Sequence, residues 1–562
     1  MANMIEIASS GINKAMKDAI QKSIDRGELN LSSIPDIMLE APREKEHGDF
    51  AANTAMVLAR EAKKSPRQIA EIIVKNLDVN DTYIGSVDIA GPGFINFKLK
   101  NDWLYDTLKS ILREKENYGR VNIGHGKRMQ VEFVSANPTG PMHIGNARGG
   151  AIGDILGEVL KWAGFYVEKE FYVNDAGNQI NKFGKSLEAR YLEALGLDAQ
   201  FPEGGYMGLD IVEHAENFKN IHGDKYVNAS SMERQKALIE YALNKNLDRM
   251  KKDLEDFGIN FDVWFSEQSL YDNGDVEDTV KYFKKSGNTY ENEDALWFKA
   301  TNYGVEKDEV LVRANGIPTY FTGDVAYHRN KFVVRKFDKV IDIWGADHHG
   351  HVPRMKGAMG ALGLSPDALE IIIMQLVRLI RNGEVTRMSK RKGQSYTLSD
   401  LVEEVGKDAA RFFFNLRSAD THFEFDLDLA VEKSNENPVY YVQYAHARIC
   451  SILRQLNDEG INFPEVNSVD FNALGEQAEI DLIKKMSYFP EEVTISAQSL
   501  DPSRITKYVL ELASLFHTFY NSCRVKGVSE DLMKARMVII ECTRTVIKNC
   551  LLILGISAPE RM

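Results

Sequence analysis

Residues 129–146 read MQVEFVSANPTGPMHIGN, and the fold class follows from this stretch. The first eight residues form a short β-type run. Pro138, Gly140 and Pro141 then hold the chain open as a loop. Beyond Ile144 the period changes. Ile152, Ile155, Leu156, Val159, Leu160 and Ala163 recur on one helical face, and Gly164 ends the pattern. Residues 165–173, FYVEKEFYV, are strand-like again. A strand, a helix and a strand within about 45 residues form a βαβ unit, which implies a parallel sheet.

Upstream, residues 5–26 and 66–77 have helical patterns. Ser86–Ala90 and Phe94–Phe97 read as strands around the turn GPG at 91–93. This is a small α+β unit, followed by a charged segment, REKENYGRVNIGHGKR at 113–128, that reads as a linker. Downstream, residues 185–310 are irregular and polar and read as an insertion. VLVRA (310–314), TYFTGDVA (319–326), KVIDIWGA (339–346) and EIIIMQLVRLI (370–380) are expected to resume the sheet. From about 425 onward the pattern is helical. Val442, Ala445, Ile449, Ile452 and Leu456 share one face, and Val509, Leu512, Phe516, Phe519 and Cys523 share another, as in a helical bundle.

The chain has 562 residues, 44% hydrophobic and 27% charged, which excludes wholesale disorder. No apolar run approaches a membrane span, and residues 1–16 contain no secretory h-region. The four cysteines, Cys450, Cys523, Cys542 and Cys550, form no CxxC pair and read as buried thiols in a reducing compartment. A soluble, cytoplasmic monomer is expected. The net charge of −13 speaks at first against a polyanionic partner. Its distribution is uneven, with 15 acids against 5 bases over 253–309, but six bases against one acid over 378–392. Residues 504–548 hold eight bases and four acids, and Arg60, Lys63, Lys64 and Arg67 cluster near the N-terminus. A folded nucleic acid feels patches within about 8–10 Å rather than the chain average.

Three stretches carry candidate chemistry. Ala136–Asn146 joins the first strand to the first helix, where free N–H groups and positive partial charge suit phosphate. Gly145 allows close approach, and His143 and Asn146 supply hydrogen-bonding groups. The alternative is an ordinary turn with Asn146 as N-cap. RMSKRKG at 387–393 follows the tight-turn pair Asn382-Gly383. It reads either as a basic loop that neutralises a triphosphate or as a solvated charge run. GADHHGH at 345–351 suggests metal, but its spacing is not that of a zinc site. A loop at the end of a parallel strand suits a nucleotide instead, with Asp347 on ribose and His348 near adenosine.

HIGN at 143–146 together with MSK at 388–390 resembles the paired HIGH and KMSKS signatures of class I aminoacyl-tRNA synthetases. Local patterns narrow this further. VEFVSANPTGPMHIGN, the N-terminal EHGDFAANTAMVLA and VDIAGPGFINFKL, and DAARFFFNLRSADTHFEFD at 408–426 are similar to the arginyl-tRNA synthetase family. The resemblance implies an α/β fold, with a Rossmann-like parallel-sheet catalytic domain over 119–424 and an insertion at about 185–310. An N-terminal α+β tRNA-binding domain would occupy 1–118, and an all-α anticodon-binding helical bundle 425–562. It implies ATP with Mg²⁺, L-arginine and tRNA(Arg) as substrates and partners, and no metal held by protein side chains. His143, Asn146 and Lys390 would be catalytic. Gly145, Asp347, His348, Met388 and Ser389 would also bind ATP, and Glu132, Ser135, Asn137, Tyr320 and Asp324 would bind arginine. The signature runs Ala136, Asn137, Pro138, Thr139, Gly140, Pro141, Met142, His143, Ile144, Gly145, Asn146. Many members carry a lysine just before this motif; here Gly140 stands there, and Lys390 is inferred to take that work.

From pattern alone Glu132 also reads as a solvent-facing strand residue and Asp324 as a helix N-cap. The competing functions are a class I synthetase for another amino acid, an RNA-independent nucleotidyltransferase, and a non-catalytic RNA-binding relative.

Overall fold

The computed structural model describes residues 4–40, 42, 44–386 and 396–562. Its centre is a five-stranded parallel sheet in the order Leu369–Met374, Lys339–Gly345, Arg128–Glu132, Tyr166–Val173, Val263–Ser266. The signature helix, Ile144–Trp162, connects the middle strand Arg128–Glu132 to its neighbour Tyr166–Val173, and its apolar face, with Ile155, Leu156, Val159 and Leu160, is buried. Such βαβ units place the loops at the strands' carboxyl ends, where ligands of open α/β sheets bind.

The edge strand Val263–Ser266 comes from the middle of the segment that reads as irregular. At four residues, it is too short for alternation to reveal it. The helices Gly177–Ala194, Leu209–His222 and Ser231–Asp256 precede it and pack around their own core of Phe183, Leu187, Ile211, Phe218 and Leu238. EIIIMQLVRLI is not one strand. It breaks at Gln375–Leu376, and Val377–Arg381 joins a separate sheet with Glu384–Thr386 and Phe423–Asp426. At the break Arg148 donates to the Gln375 carbonyl at 2.9 Å and the Ser418 carbonyl at 2.8 Å, and the Gln375 N–H donates to the Ala419 carbonyl at 2.9 Å.

The N-terminal unit packs the helices Met4–Asp25, Thr54–Ala62, Pro66–Asn76 and Asp102–Glu114 with a four-stranded antiparallel sheet. Residues 113–128 are not a loose linker. Tyr118 is buried and donates to the Met486 carbonyl at 3.1 Å, and Asn549 donates to the carbonyls of Lys115 and Tyr118 at 2.9 Å each. The last quarter of the chain is the bundle, with Pro438–Asp458, Gln477–Ser487, Phe489–Ser499, Ser503–Ser522 and Glu530–Leu554. All four cysteines are buried and free. Among the described residues no helix is long and apolar enough to cross a membrane.

The basic surplus of 504–548 is smaller in three dimensions than in sequence. Arg536 is buried against Glu479, and Arg504, Lys526, Lys534 and Arg544 each pair with a neighbouring glutamate. Lys507, Arg524 and Lys548 remain exposed, as do Arg60, Lys63, Lys64 and Arg67.

One fully buried guanidinium joins three of these parts. Arg411 donates to Asp154 of the signature helix at 2.6 Å, to the Leu554 carbonyl ending the bundle at 2.9 Å, and to the Gly258 carbonyl at 3.2 Å. Arg411→Met leaves two helix ends and a buried carboxylate short of a donor. We expect a loss of about 3–5 kcal/mol, read as a lowered denaturant midpoint; an unchanged midpoint would show that the contacts are replaceable.

Candidate active site

The route from sheet to signature helix is strained. Val134 and Ser135, one residue beyond the strand Arg128–Glu132, take φ of 68° and 39°. The helix starts with His143 in extended backbone at the cap position. Asn146 is therefore not the cap; its Oδ1 accepts the His143 N–H at 3.2 Å from within the first turn. A Cβ built at Gly145 would meet nothing within 4 Å, so the space before the helix N-terminus is open. The loop is also tied to the segment beyond the basic stretch. Ile144 N–H donates to the Tyr396 carbonyl at 3.2 Å, and Leu398 N–H to the Met142 carbonyl at 3.0 Å.

A cavity of about 950 Å³ opens at this point. It brings together Ser135, Asn137, His143, Gly145 and Asn146 from the signature segment with Asp347 and His348 from the Ala346–His351 turn. Ala136, Thr139, Gly140 and Pro141 also line it, whereas Met142 is buried behind the loop. The sequence did not single out the facing wall, which is made of Asn174, Gln179, Tyr206 and Asp210. Tyr206 and Asp210 come from the segment 185–310, whose polar pattern resembles that of ordinary surface helices.

Tyr320 and Asp324 line an adjoining cavity of about 630 Å³, which shares Asp347 and His348 with the first. They lie on a helix, Tyr320–Arg329, and not at the end of a strand. The Thr319 and Thr322 hydroxyls, each 2.7 Å from the carbonyls of Val310 and Leu311, turn the chain out of the preceding strand. Asp324 is inside this helix rather than capping it, and its Oδ2 bonds His351 Nε2 at 3.0 Å. The Tyr320 hydroxyl accepts the Asn178 N–H at 3.2 Å.

Glu132 lines neither cavity, nor does it face solvent. It lies beneath them, only 8% exposed, and accepts Lys331 Nζ at 2.6 Å and the Ser135 hydroxyl at 3.0 Å. Lys331, wholly buried, also donates to Asp342 at 3.0 Å, and His328 Nε2 bonds the other Asp342 oxygen at 2.8 Å. Against the burial that would raise it, Lys331 and His328 hold the Asp342 carboxyl down at about 2. The predicted residues Met388, Ser389 and Lys390 lie outside the described residues.

The most telling electrostatic feature is Glu267, at the end of the short edge strand and only 6% exposed. Burial first, then Asp324 and Asp175, raise its carboxyl to about 7. A Cβ built at Gly323, one residue before Asp324, would sit 3.6 Å from the Tyr271 hydroxyl and 3.9 Å from Glu267 Oε1. Two carboxylates and two tyrosines, Tyr271 and Tyr320, thus surround a small region. Among the described residues no lysine or arginine forms an ion pair with Glu267 or Asp324. Sequence reading missed Glu267 because its strand was missed. Among the described residues no group of three or more His, Cys, Asp or Glu side chains is arranged around a metal position. His351 is committed to Asp324, and His348 lies beside the Trp344 ring at 5.9 Å.

Three family models match this chain. They are an arginyl tRNA synthetase N terminal domain at residues 10–99, a class I (R) tRNA synthetase catalytic domain at 107–424, and a DALR anticodon binding domain at 442–562. Relatives named arginine–tRNA ligase, from Caldanaerobacter subterraneus subsp. tengcongensis and Acetivibrio thermocellus, are 59% and 58% identical, each covering 100% of both chains. An arginyl-tRNA synthetase structure from Thermus thermophilus covers 98% of this chain and 99% of its own, with a TM-score of 0.75 at 20% identity, which is a likeness of fold. With a matched catalytic model over more than half its length and full-length relatives at such identity, the chain belongs to the class I arginyl-tRNA synthetases.

Proposed function

We propose that this protein is an arginine–tRNA ligase, working as a cytoplasmic monomer. It activates L-arginine with ATP and then esterifies the 2′-hydroxyl of the terminal adenosine of tRNA(Arg). The observation that carries the reading is the buried carboxylate of Glu267 beside the half-exposed carboxylate of Asp324, with no lysine or arginine paired to either among the described residues, next to cavities that adjoin an open helix N-terminus. A guanidinium supplies the missing charge and several donors in one plane. The helix N-terminus supplies the complement of phosphate.

In the first step the arginine carboxylate attacks the α-phosphorus and pyrophosphate leaves. In the second the ribose hydroxyl attacks the activated carbonyl and AMP leaves. No protein nucleophile is required; the chain positions groups and stabilises charge. His143 and Asn146 face the phosphates from the signature helix. Ser135 and Asn137 receive the amino acid's backbone end, while Tyr320, Asp324 and Glu267 receive its guanidinium. Asp347 and His348, bordering both cavities, hold the ribose side. The open space at Gly145 and the exposed Asp347 carboxylate leave room for a triphosphate carrying Mg²⁺, which when bound neutralises phosphate charge. Lys390 is the cation assigned to the leaving pyrophosphate, and Tyr396, six positions later, is bonded to the signature loop. The exposed bases of the N-terminal unit and the bundle are the surfaces assigned to tRNA.

ATP–pyrophosphate exchange, run with each amino acid and with or without tRNA, tests the whole reading. Exchange should depend on arginine alone. Exchange driven by another amino acid would sink the specificity, and none under any condition would favour the non-catalytic reading. Lys390→Ala should lower the exchange rate by about 100-fold or more while leaving arginine binding nearly intact; equal loss in both would refute its phosphate role.

Glu267 gives the site a pH signature. A bound guanidinium favours the ionised carboxylate, so falling pH protonates the free site and opposes binding. The arginine KM should rise as pH drops through about 7, approaching about tenfold per pH unit. Glu267→Gln should raise the KM at every pH and flatten its dependence. A wild-type KM that is flat from about pH 6 to 8 would remove Glu267 from the pocket.

A further inference from the structure

Val134 and Ser135 are consecutive non-glycine residues in left-handed backbone, at φ 68° and 39°. For a β-branched valine that conformation is a strained outlier, and it directs residues 136–146 toward the cavity. Something must hold it. The Ser135 hydroxyl donates to Glu132 Oε1 at 3.0 Å and accepts the Tyr172 N–H at 3.1 Å. The other oxygen of Glu132 is held by Lys331 at 2.6 Å, roughly two hundred residues away in sequence. From Lys331 the bonds continue to Asp342 at 3.0 Å and His328 at 2.8 Å, and from His328 Nδ1 to the Asp324 carbonyl at 2.7 Å. Lys331 itself lies in a wide π-turn, Asn330–Val334, directly after the helix that carries Tyr320 and Asp324. One continuous set of bonds therefore joins the signature turn to the helix turn bearing Asp324.

We infer that Lys331 is a positioning residue of the reaction. Its ammonium touches no substrate, but holds the Val134–Ser135 turn through Glu132 and the Asp324 turn through Asp342 and His328, which fixes the spacing of the two walls. The inference rests on the proposed reading of those walls as the phosphate and guanidinium sides. It also moves Glu132 from direct contact with arginine to support of the loop. Charge balance alone does not explain the arrangement, because well-packed neutral side chains of similar volume stabilise a core as well as a buried ion pair does. Two reacting groups held on separate loops, however, lose rate steeply when displaced by about 1 Å.

The test is a rescue. Lys331→Met with Glu132→Gln removes one positive and one negative charge and leaves Asp342 with His328. With active sites counted by titration, kcat for arginine-dependent exchange should fall about 100-fold, while the KM of arginine and of ATP each move by less than about tenfold. Adding Val134→Gly, which adopts positive φ without strain, should then recover about tenfold in kcat. A double variant that keeps kcat within about threefold of wild type, or a rescue below about threefold, would overturn the inference. Should the double variant fail to fold, Glu132→Met is the second background, since it leaves Lys331 paired with Asp342; the same Val134→Gly rescue and thresholds apply. Failure of the wild-type protein to exchange with arginine would strike the underlying reading of the walls instead, so the two failures are told apart.

Discussion

Arg411 and Asp154 form the contact on which the assembly of the parts depends. Asp154 lies in the signature helix and is also gripped by Lys169 of the neighbouring strand at 2.7 Å. The remaining donors of Arg411 meet the carbonyls of Leu554 and of Phe257 and Gly258. These are carbonyls at the C-terminal ends of two helices, where peptide acceptors lack intrahelical partners and the dipole is negative. A guanidinium is the one side chain with enough fixed donors to serve a carboxylate and two helix ends together. Gly555, at φ 65°, leaves the room it needs; a Cβ there would lie 2.4 Å from Arg411 Nη2. The orientation of the catalytic sheet against the bundle is thus set at the same helix that opens the site.

The interior distributes charge by a consistent rule. Carboxylates that carry structure are paired within the chain, as Asp154 is with Arg411 and Lys169, Asp342 with Lys331 and His328, and Glu170 with Arg335. Glu267 departs from this, and its raised carboxyl records the cost of burial beside Asp324 without a cation. Such a group is costly in the free protein and favourable once a cation arrives. A site that binds a guanidinium is the place where that imbalance has a use.

The acidity of the whole chain carries little information until it is located. The surplus over 253–309 includes the buried Glu267 and the acidic first turn, Asp275, Glu277 and Asp278, of the helix Asp275–Lys285. Several bases that make 504–548 look positive are spent on neighbouring glutamates. Exposed cations persist on the N-terminal unit and at a few bundle positions, so a polyanionic partner is met by patches rather than by net charge.

The sequence by itself determined the parallel sheet, the signature loop and the helical bundle. Periodicity over many residues reports which face is buried, and Pro138, Gly140 and Pro141 can hardly lie anywhere but in a loop. That His143, Gly145, Asn146, Asp347 and His348 line one cavity was foreshadowed for the same reason: each sits where a regular element starts or stops. Only the tertiary structure decided the rest. The four-residue edge strand that places Glu267 is too short for any period, and the Tyr320 helix begins where threonine hydroxyls capture carbonyls of a separate strand. Nothing near Glu132 in sequence foretells the buried Lys331 that pairs with it. Partners so distant in sequence meet only because the sheet brings their strands together, and no local pattern encodes that meeting.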